Sequence, residues 1–303
     1  MAGGQWPWRD GRTIAMWIVF GVLLIGYVLQ QSLCIFTTPK TRSFPAHLLA
    51  SRTQLLLCIA TAGNIMASFC VIYFIPIYFQ FVHGDGALVA AVRLLPYIAV
   101  NVSTNLAFGH FLPRIQYYMP IYVGSGIMTV LGGGLLVAYL KPSTSEGVIH
   151  GLIIILGIGT GATFSTGFAI STIRADPSDV GHAISVQDVC QLGGSVITLV
   201  VAGQIFQSRA VSNLEKVLAG HGYSTADIQG AVAGVQSTLF AELTGSLREA
   251  ATNAITEAMQ QTFALVVVGG GLLILAGVSM RFEKLFGDPP VPSANETDEV
   301  VAA

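Results

Sequence analysis

Seven apolar runs dominate the chain, at about 13–36, 55–81, 87–112, 117–140, 148–171, 183–206 and 262–282. A hydrocarbon core of ~30 Å needs ~20 helical residues at ~1.5 Å rise each, and every run reaches that length. Most of the runs hold no Asp, Glu, Lys or Arg. Lipid offers a backbone amide no hydrogen bond, so only helices and closed barrels cross it. The runs are continuously apolar and lack the two-residue alternation of barrel strands. The pattern predicts an all-α polytopic membrane protein.

One long stretch between runs, 207–261, has a pattern of its own. Leu214, Val217 and Leu218, then Ile228, Val232, Val235, Leu239 and Leu243, recur at helical spacing. Ser224-Thr225 offers an N-cap for the second group. This predicts a short amphipathic helical hairpin lying over the outer face. Pro76 and Pro96 fall inside runs, where proline should bend a helix. Glycines crowd the middle runs, among them Gly132 to Gly134, Gly157, Gly159 and Gly161, and small residues let helix backbones approach closely in lipid.

Composition agrees: 53% of residues are hydrophobic and only 10% are charged, against roughly 25% charged in soluble domains. A net charge of −2 leaves no basic field, so nucleic acid is not an expected partner. Cys34, Cys58, Cys70 and Cys190 all lie inside runs and read as small packing residues, without disulfide or metal spacing. Residues 1–12 are polar and turn-rich, unlike a signal peptide. Lys40, Arg42 and Arg52, then Arg114, Arg174, Arg281 and Lys284, fall on one side if the spans alternate. The opposite short loops hold Lys141 alone, while Arg9 and Arg12 dissent. The balance places the N-terminus outside and the C-terminus in the cytosol. It makes 1–12 an outer segment, 37–54 a basic cytosolic linker and 283–303 a disordered cytosolic tail. The sequons at Asn101 and Asn295 then fall in a span and in the cytosol, out of reach of glycosylation.

No catalytic constellation is present. The six histidines are scattered without metal-ligand spacing, and there is no nucleophile elbow, phosphate loop or intramembrane carboxylate pair. Neither an enzyme nor a cofactor is expected. Ionisable groups inside spans are the default functional candidates, since a central charge costs ~3 kcal/mol or more unless paired or wet. Arg93 reads either as a snorkelling or ion-paired residue near the outer interface or as a functional cation. Asp188 reads either as a helix-orienting carboxylate or as a cavity-facing group for protons or cationic substrate. Gln187 and Gln191 flank it as a polar stripe, and Asn64, Asn101 and Asn105 complete the polar groups within spans. At least half of these seven are expected to face the bundle interior or a wet cleft. The aromatics Tyr73, Phe74, Tyr78, Phe79 and Phe81 suggest an interfacial belt, with stacking on a planar ligand as the alternative.

Several segments together resemble a known family. Tyr73-Phe-Ile-Pro-Ile-Tyr-Phe-Gln80 is similar to a helix end in the drug:proton antiporter branch of the major facilitator superfamily, the 14-helix type. Val92-Arg93-Leu94-Leu95-Pro96 resembles its "G-x-R-x-L-P" helix start, with Ala91 in place of glycine. Gly109-His-Phe-Leu-Pro-Arg114 looks like the degenerate second copy of the superfamily's cytosolic-loop motif, and Gln191-Leu-Gly-Gly194 matches "Q-x-G-G" of the penultimate helix. Trp8-Arg-Asp-Gly-Arg-Thr-Ile14 is similar to the loop and start of the eighth helix. The first-half motifs of that family have no counterpart here.

The resemblance implies the C-terminal six-helix half of a major facilitator fold over 55–282, preceded by one extra transmembrane helix at 13–36. It implies proton-coupled efflux of amphipathic organic compounds such as toxins, secondary metabolites or drugs. Asp188, Arg93, Gln187, Gln191 and Asn64 are then the candidates for substrate or coupling contacts. The implied partners are the lipid bilayer, protons and a missing N-terminal half, without which the chain is not expected to transport. The plasma membrane is the expected location, with a vacuolar or other endomembrane as the alternative. Two further readings are a non-transporting membrane subunit and a seven-helix receptor. Glycine-crowded spans, the long outer segment and a last span without Asn-Pro count against the receptor.

Overall fold

The computed structural model describes residues 10–32, 46–233 and 243–285. Eleven helices are described: α1 (Gly11–Ser32), α2 (Ala46–Leu49), α3 (Arg52–His83), α4 (Ala87–Val92), α5 (Leu95–Ile115), α6 (Met119–Tyr139), α7 (Glu146–Thr163), α8 (Thr166–Ile173), α9 (Val180–Val217), α10 (Thr225–Ala233) and α11 (Gly245–Ser279). Among the described residues six segments are long and apolar enough to cross a bilayer: α3, α4–α5, α6, α7–α8, α9 and α11. That is one fewer than the apolar runs. The first run forms α1, whose large side chains Trp17, Phe20, Leu23 and Ile25 are exposed; its last four residues, 33–36, lie outside the described residues.

The bundle is held by close helix crossings. α3 and α11 cross where Gly63 faces Gly269. A Cβ added at Gly269 would lie 2.5 Å from the Gly63 carbonyl oxygen, and one added at Gly63 would lie 2.8 Å from the Gly269 oxygen. With no side chain at either position the two backbones touch, which substitutes dispersion contact for the hydrophobic force that lipid does not supply.

Two of the crossing segments are interrupted. The α4–α5 pair breaks at Arg93-Leu94, and Pro96 then sits in the first turn of α5. A proline there loses no helix hydrogen bond, so Pro96 starts a helix where the sequence suggested a bend. Pro76 does lie inside α3. The α7–α8 pair breaks at Phe164-Ser165, an interruption the hydropathy pattern did not signal.

Buried side chains fall into layers. A large apolar cluster joins Phe74, Tyr78 and Phe79 of α3 to Leu152 and Leu156 of α7, Phe206 and Leu214 of α9, and Ile255 and Phe263 of α11. A smaller one gathers Leu57, Tyr118, Ile121, Tyr122, Ile170, Leu273 and Leu285 at the other end. Between them lies a layer of buried polar groups.

Three expectations are corrected by this packing. The 207–261 segment is not a separate hairpin: 207–217 continues α9, 245–261 begins α11, and α10 packs its Ile228 and Val232 on the α9 extension. The helical stripe was real, but its partners are the extended spans. Val235 and Leu239 lie outside the described residues. The aromatics are core, since Phe74, Tyr78, Phe79 and Phe81 are buried and only Tyr73 is exposed. Their rings find ring partners, Phe74 with Phe206 and Phe263, and the Tyr78 hydroxyl donates to the Lys141 carbonyl at 2.8 Å. The tail does not begin disordered at 283. The Leu285 amide donates to the Gln116 carbonyl at 2.7 Å and its side chain is buried; residues 286–303 are not described. Of the 37–54 linker, 37–45 lies outside the described residues, while α2 sends Leu48 into a pocket formed by Cys58, Ala183 and Val186.

Candidate functional site

The polar layer is built on five crossing segments. Asn64 of α3 donates from Nδ2 to the Thr160 carbonyl at 3.1 Å, and Asn101 of α5 donates to the Thr160 hydroxyl at 2.8 Å. Tyr97 shares that hydroxyl at 3.1 Å. On the α9 side, the Thr61 hydroxyl donates to Gln187 Oε1 at 2.8 Å. Gly167 presses against this pair: an added Cβ would meet Thr61 Oγ1 at 2.8 Å and the Gln187 and Tyr122 oxygens at 3.4 Å. On α6 the Ser125 hydroxyl donates to the Gly159 carbonyl at 2.6 Å, and Asn105 reaches Ser165, at the α7–α8 break, at 3.1 Å.

Burying hydrogen-bonded polar groups is nearly neutral, whereas leaving one unpaired costs ~1–3 kcal/mol. Asn64 Oδ1 and the Tyr122 hydroxyl are such exceptions: both are fully buried and have no protein partner among the described residues. The layer therefore holds two oxygens free to bond something that is not protein.

The seven sequence candidates part company. Asn64, Asn101 and Gln187 are buried, Asn105 and Gln191 are half-buried, and Asp188 is exposed. One residue on a helix is a ~100° rotation, so Gln187 turns into the layer while Asp188 points out of the bundle. The expected stripe of Gln187, Asp188 and Gln191 is thus divided between an inner wall and an open face. The Asp188 carboxylate has no ion-pair or hydrogen-bond partner among the described residues.

Arg93 stands apart, beyond the apolar cluster. It pairs with Asp85 and Glu146, each at 2.5 Å, and lies 4.7 Å over the Phe79 ring. His83 approaches Glu146 at 3.7 Å. The ion-pair reading describes it, and its partners come from the loop before α4 and the first turn of α7. Cys58 and Cys70 are buried free thiols and Cys190 a half-buried one; Cys34 lies outside the described residues.

Sequence reasoning missed Thr61, Thr160, Tyr97, Tyr122 and Ser125. Thr160 also donates to the Leu156 carbonyl of its own helix at 2.8 Å. A hydroxyl that can bond its own turn carries almost no signal in a hydropathy profile.

The opposite ends of the bundle differ in charge. Arg52, Arg114, Arg174, Arg281 and Lys284 collect at one end. There Arg52 caps the Ser279 carbonyl at 2.9 Å, and Arg174 bonds the Lys284 carbonyl at 3.0 Å and pairs with Glu283 at 3.4 Å.

The six apolar crossing segments of the described residues, with a polar layer at their centre, define an integral, multi-pass membrane protein. The Major Facilitator Superfamily family model matches residues 6–199, and the chain belongs to that family. It is 38% identical over 282 residues to "Efflux pump patC" of Aspergillus clavatus, covering 93% of this chain and 51% of the relative. It is 35% identical to "MFS-type transporter pgmG" of Aspergillus terreus, covering 94% of this chain and 50% of the relative. The chain spans about half the length of the curated relatives it matches. A crystal structure of a bacterial homologue of the human lysosomal transporter Spinster, inward-facing and occupied, shares the fold with a TM-score of 0.57 at 18% identity. That match covers 80% of this chain and 52% of the solved one.

Proposed function

We propose that this bundle is the C-terminal half of a proton-coupled efflux transporter of the 14-helix antiporter branch, and that it exports amphipathic organic compounds. The observation that carries this reading is the open side of the bundle. In the most apolar stretches of α4–α5 and α9 only 17% and 22% of residues are buried, against 61% in α3. These two segments carry Asn105, Asp188 and Gln191 as well as Gly109 and Gly193, whose missing side chains face open space. A lipid-facing surface would gain nothing from an unpaired carboxylate and smooth glycines. A second bundle would, because transporters of this kind bind substrate between two halves that rock against each other.

In this reading the open face of α4–α5 and α9, backed by the polar layer, is one wall of the pathway. Asn105 and Gln191 offer hydrogen bonds to substrate, and Asp188 is the proton-coupling carboxylate. The interrupted α7–α8 segment suits such a wall, since a break at membrane depth is tolerated where backbone lines a polar site. The Arg-rich end faces the cytosol by the excess of Lys and Arg, and the plasma membrane is the site of export.

Proteoliposomes with an imposed pH gradient and a fluorescent organic cation test this. The chain alone is expected to move no cation. Fused to the half of the Aspergillus clavatus relative that it does not match, it is expected to export the cation, and Asp188→Asn to abolish that export. Gradient-driven export by the chain alone would remove the need for a second bundle. Absence of export by a folded fusion would defeat the transporter reading.

A further inference from the structure

A recess of about 660 Å³ lies away from the polar layer, between α6, α9 and α11. Its lining is Val137, Gln204, Ile205, Ser208, Arg209 and Gln261, with Ala264. The lining is sorted by depth. Val137 lies two residues before the end of α6 at Tyr139, and Gln261 immediately precedes the apolar run that starts at 262. Ile205 is inside the run that ends at 206, and Ser208 and Arg209 are just beyond it. So the recess straddles the boundary between hydrocarbon and headgroups, with the Gln261 amide, the Ser208 hydroxyl and the Arg209 guanidinium on the polar side.

Arg209 is exposed and its guanidinium has no ion-pair or hydrogen-bond partner among the described residues. Below the recess the apolar surface continues. Ala264, Val268 and Leu275 form an exposed stripe at helical spacing on α11, and Val201 is exposed on α9 one turn from Ile205 of the recess. This apolar furrow leads from the cation at headgroup depth down the α9–α11 edge.

We infer that this recess binds the phosphate group of a phospholipid, with Arg209 on the phosphate oxygens, Gln261 and Ser208 on the headgroup, and the acyl chains in the furrow between α9 and α11. The guanidinium presents parallel N–H donors that match a phosphate, and it holds them where the phosphates of that leaflet already lie. An interhelical basic recess at the membrane surface is the arrangement by which helical membrane proteins hold lipid headgroups. The size fits as well, since small-molecule sites run from ~300 to ~1,000 Å³. This site is independent of the transport pathway proposed above.

The test is lipid titration of the delipidated, detergent-solubilised chain, with bound lipid read by native mass spectrometry. The probes are dioleoyl phosphatidylcholine, dioleoyl phosphatidylglycerol and phosphate-free digalactosyl diacylglycerol with the same acyl chains. Both phospholipids should bind, and the galactolipid about tenfold more weakly. Arg209→Gln should lose about tenfold in phospholipid affinity, with Arg209→Lys intermediate and the exposed control Arg248→Gln unchanged. Ala264→Trp, which fills the furrow and leaves the cation in place, should weaken both phospholipids as well. Binding to Arg209→Gln as tight as to the unaltered chain would overturn the assignment, as would equal binding of the galactolipid. Displacement of lipid by millimolar inorganic phosphate would mark a site for free anions and overturn it too.

Discussion

α3 and α9 both cross the membrane as single unbroken helices, yet they relate to the bundle in opposite ways. On α3, Gln54, Thr61 and Asn64 all turn inward, and each is hydrogen-bonded to another helix. On α9 Gln187 does so within the polar layer and Asn213 does so beyond the apolar run; one residue after Gln187, Asp188 looks away from the protein. Apolar composition thus says that a segment enters lipid and leaves open what covers each of its faces. The covered faces hold the fold together. The uncovered face of α9 holds residues the isolated bundle does not need, and this is the physical argument behind the proposal of a second body.

That contrast is most sharply tested with glycine. Gly269→Ala drives a methyl group into the Gly63 carbonyl, with rigid backbone on both sides. The expected loss is ~2–3 kcal/mol, in the range of overpacked cores. Gly193→Ala places the same methyl in open space on α9, and should be neutral or gain up to ~1 kcal/mol of helix propensity. Thermal melting followed by fluorescence-detected size exclusion compares the two directly. Equal losses at both positions would mean that α9 is as tightly enclosed as α3.

A smaller effect separates the neighbours Gln187 and Asp188. Gln187→Leu removes the acceptor of the buried Thr61 hydroxyl, which should destabilise the bundle by ~1–2 kcal/mol. Asp188→Asn touches no partner and should change the melting temperature within the scatter of surface substitutions, ~0.5 kcal/mol. A larger loss at Asp188 than at Gln187 would reverse the assignment of inner and outer face.

The sequence makes the class, the six crossing segments and their order readable, because a run of ~20 apolar residues has almost one physical outcome. It is less informative wherever the partner is remote. Arg93 could be placed near an interface, but Asp85 in a loop and Glu146 in the first turn of α7 are positions that hydropathy treats as unrelated. The stripe at Leu214 and Ile228 announced a buried face without saying that α9 and α11 run on past the lipid to supply it. Phe74, Tyr78 and Phe79 looked interfacial because a span end and a core contact have the same composition there. Of the polar layer, Asn64 and Gln187 were visible as amides among aliphatics. Thr61, Thr160 and Tyr122 were not, since hydroxyls are common in spans that bury nothing polar at all.

The smallest expected effect concerns the one stretch of α9 that is covered outside the lipid, where α10 packs on it. Ser224 and Asp227 close the first turn of α10 reciprocally. The Asp227 amide donates to Ser224 Oγ at 3.2 Å, and the Ser224 amide and hydroxyl donate to Asp227 Oδ2 at 3.0 and 2.6 Å. Those two bonds hold the Asp227 carboxyl below its usual value. A carboxyl depressed in the folded state stabilises fully above its unfolded value, and that contribution fades as pH falls through the folded one. Hydrogen exchange of α10, corrected for the intrinsic rate, should therefore be level from pH 8 to about pH 5 and rise below about pH 4. Asp227→Ala should exchange faster at neutral pH and lose the acid step. If the step persists in that variant, the acid sensitivity belongs to another group and the cap is not what seats α10 on α9.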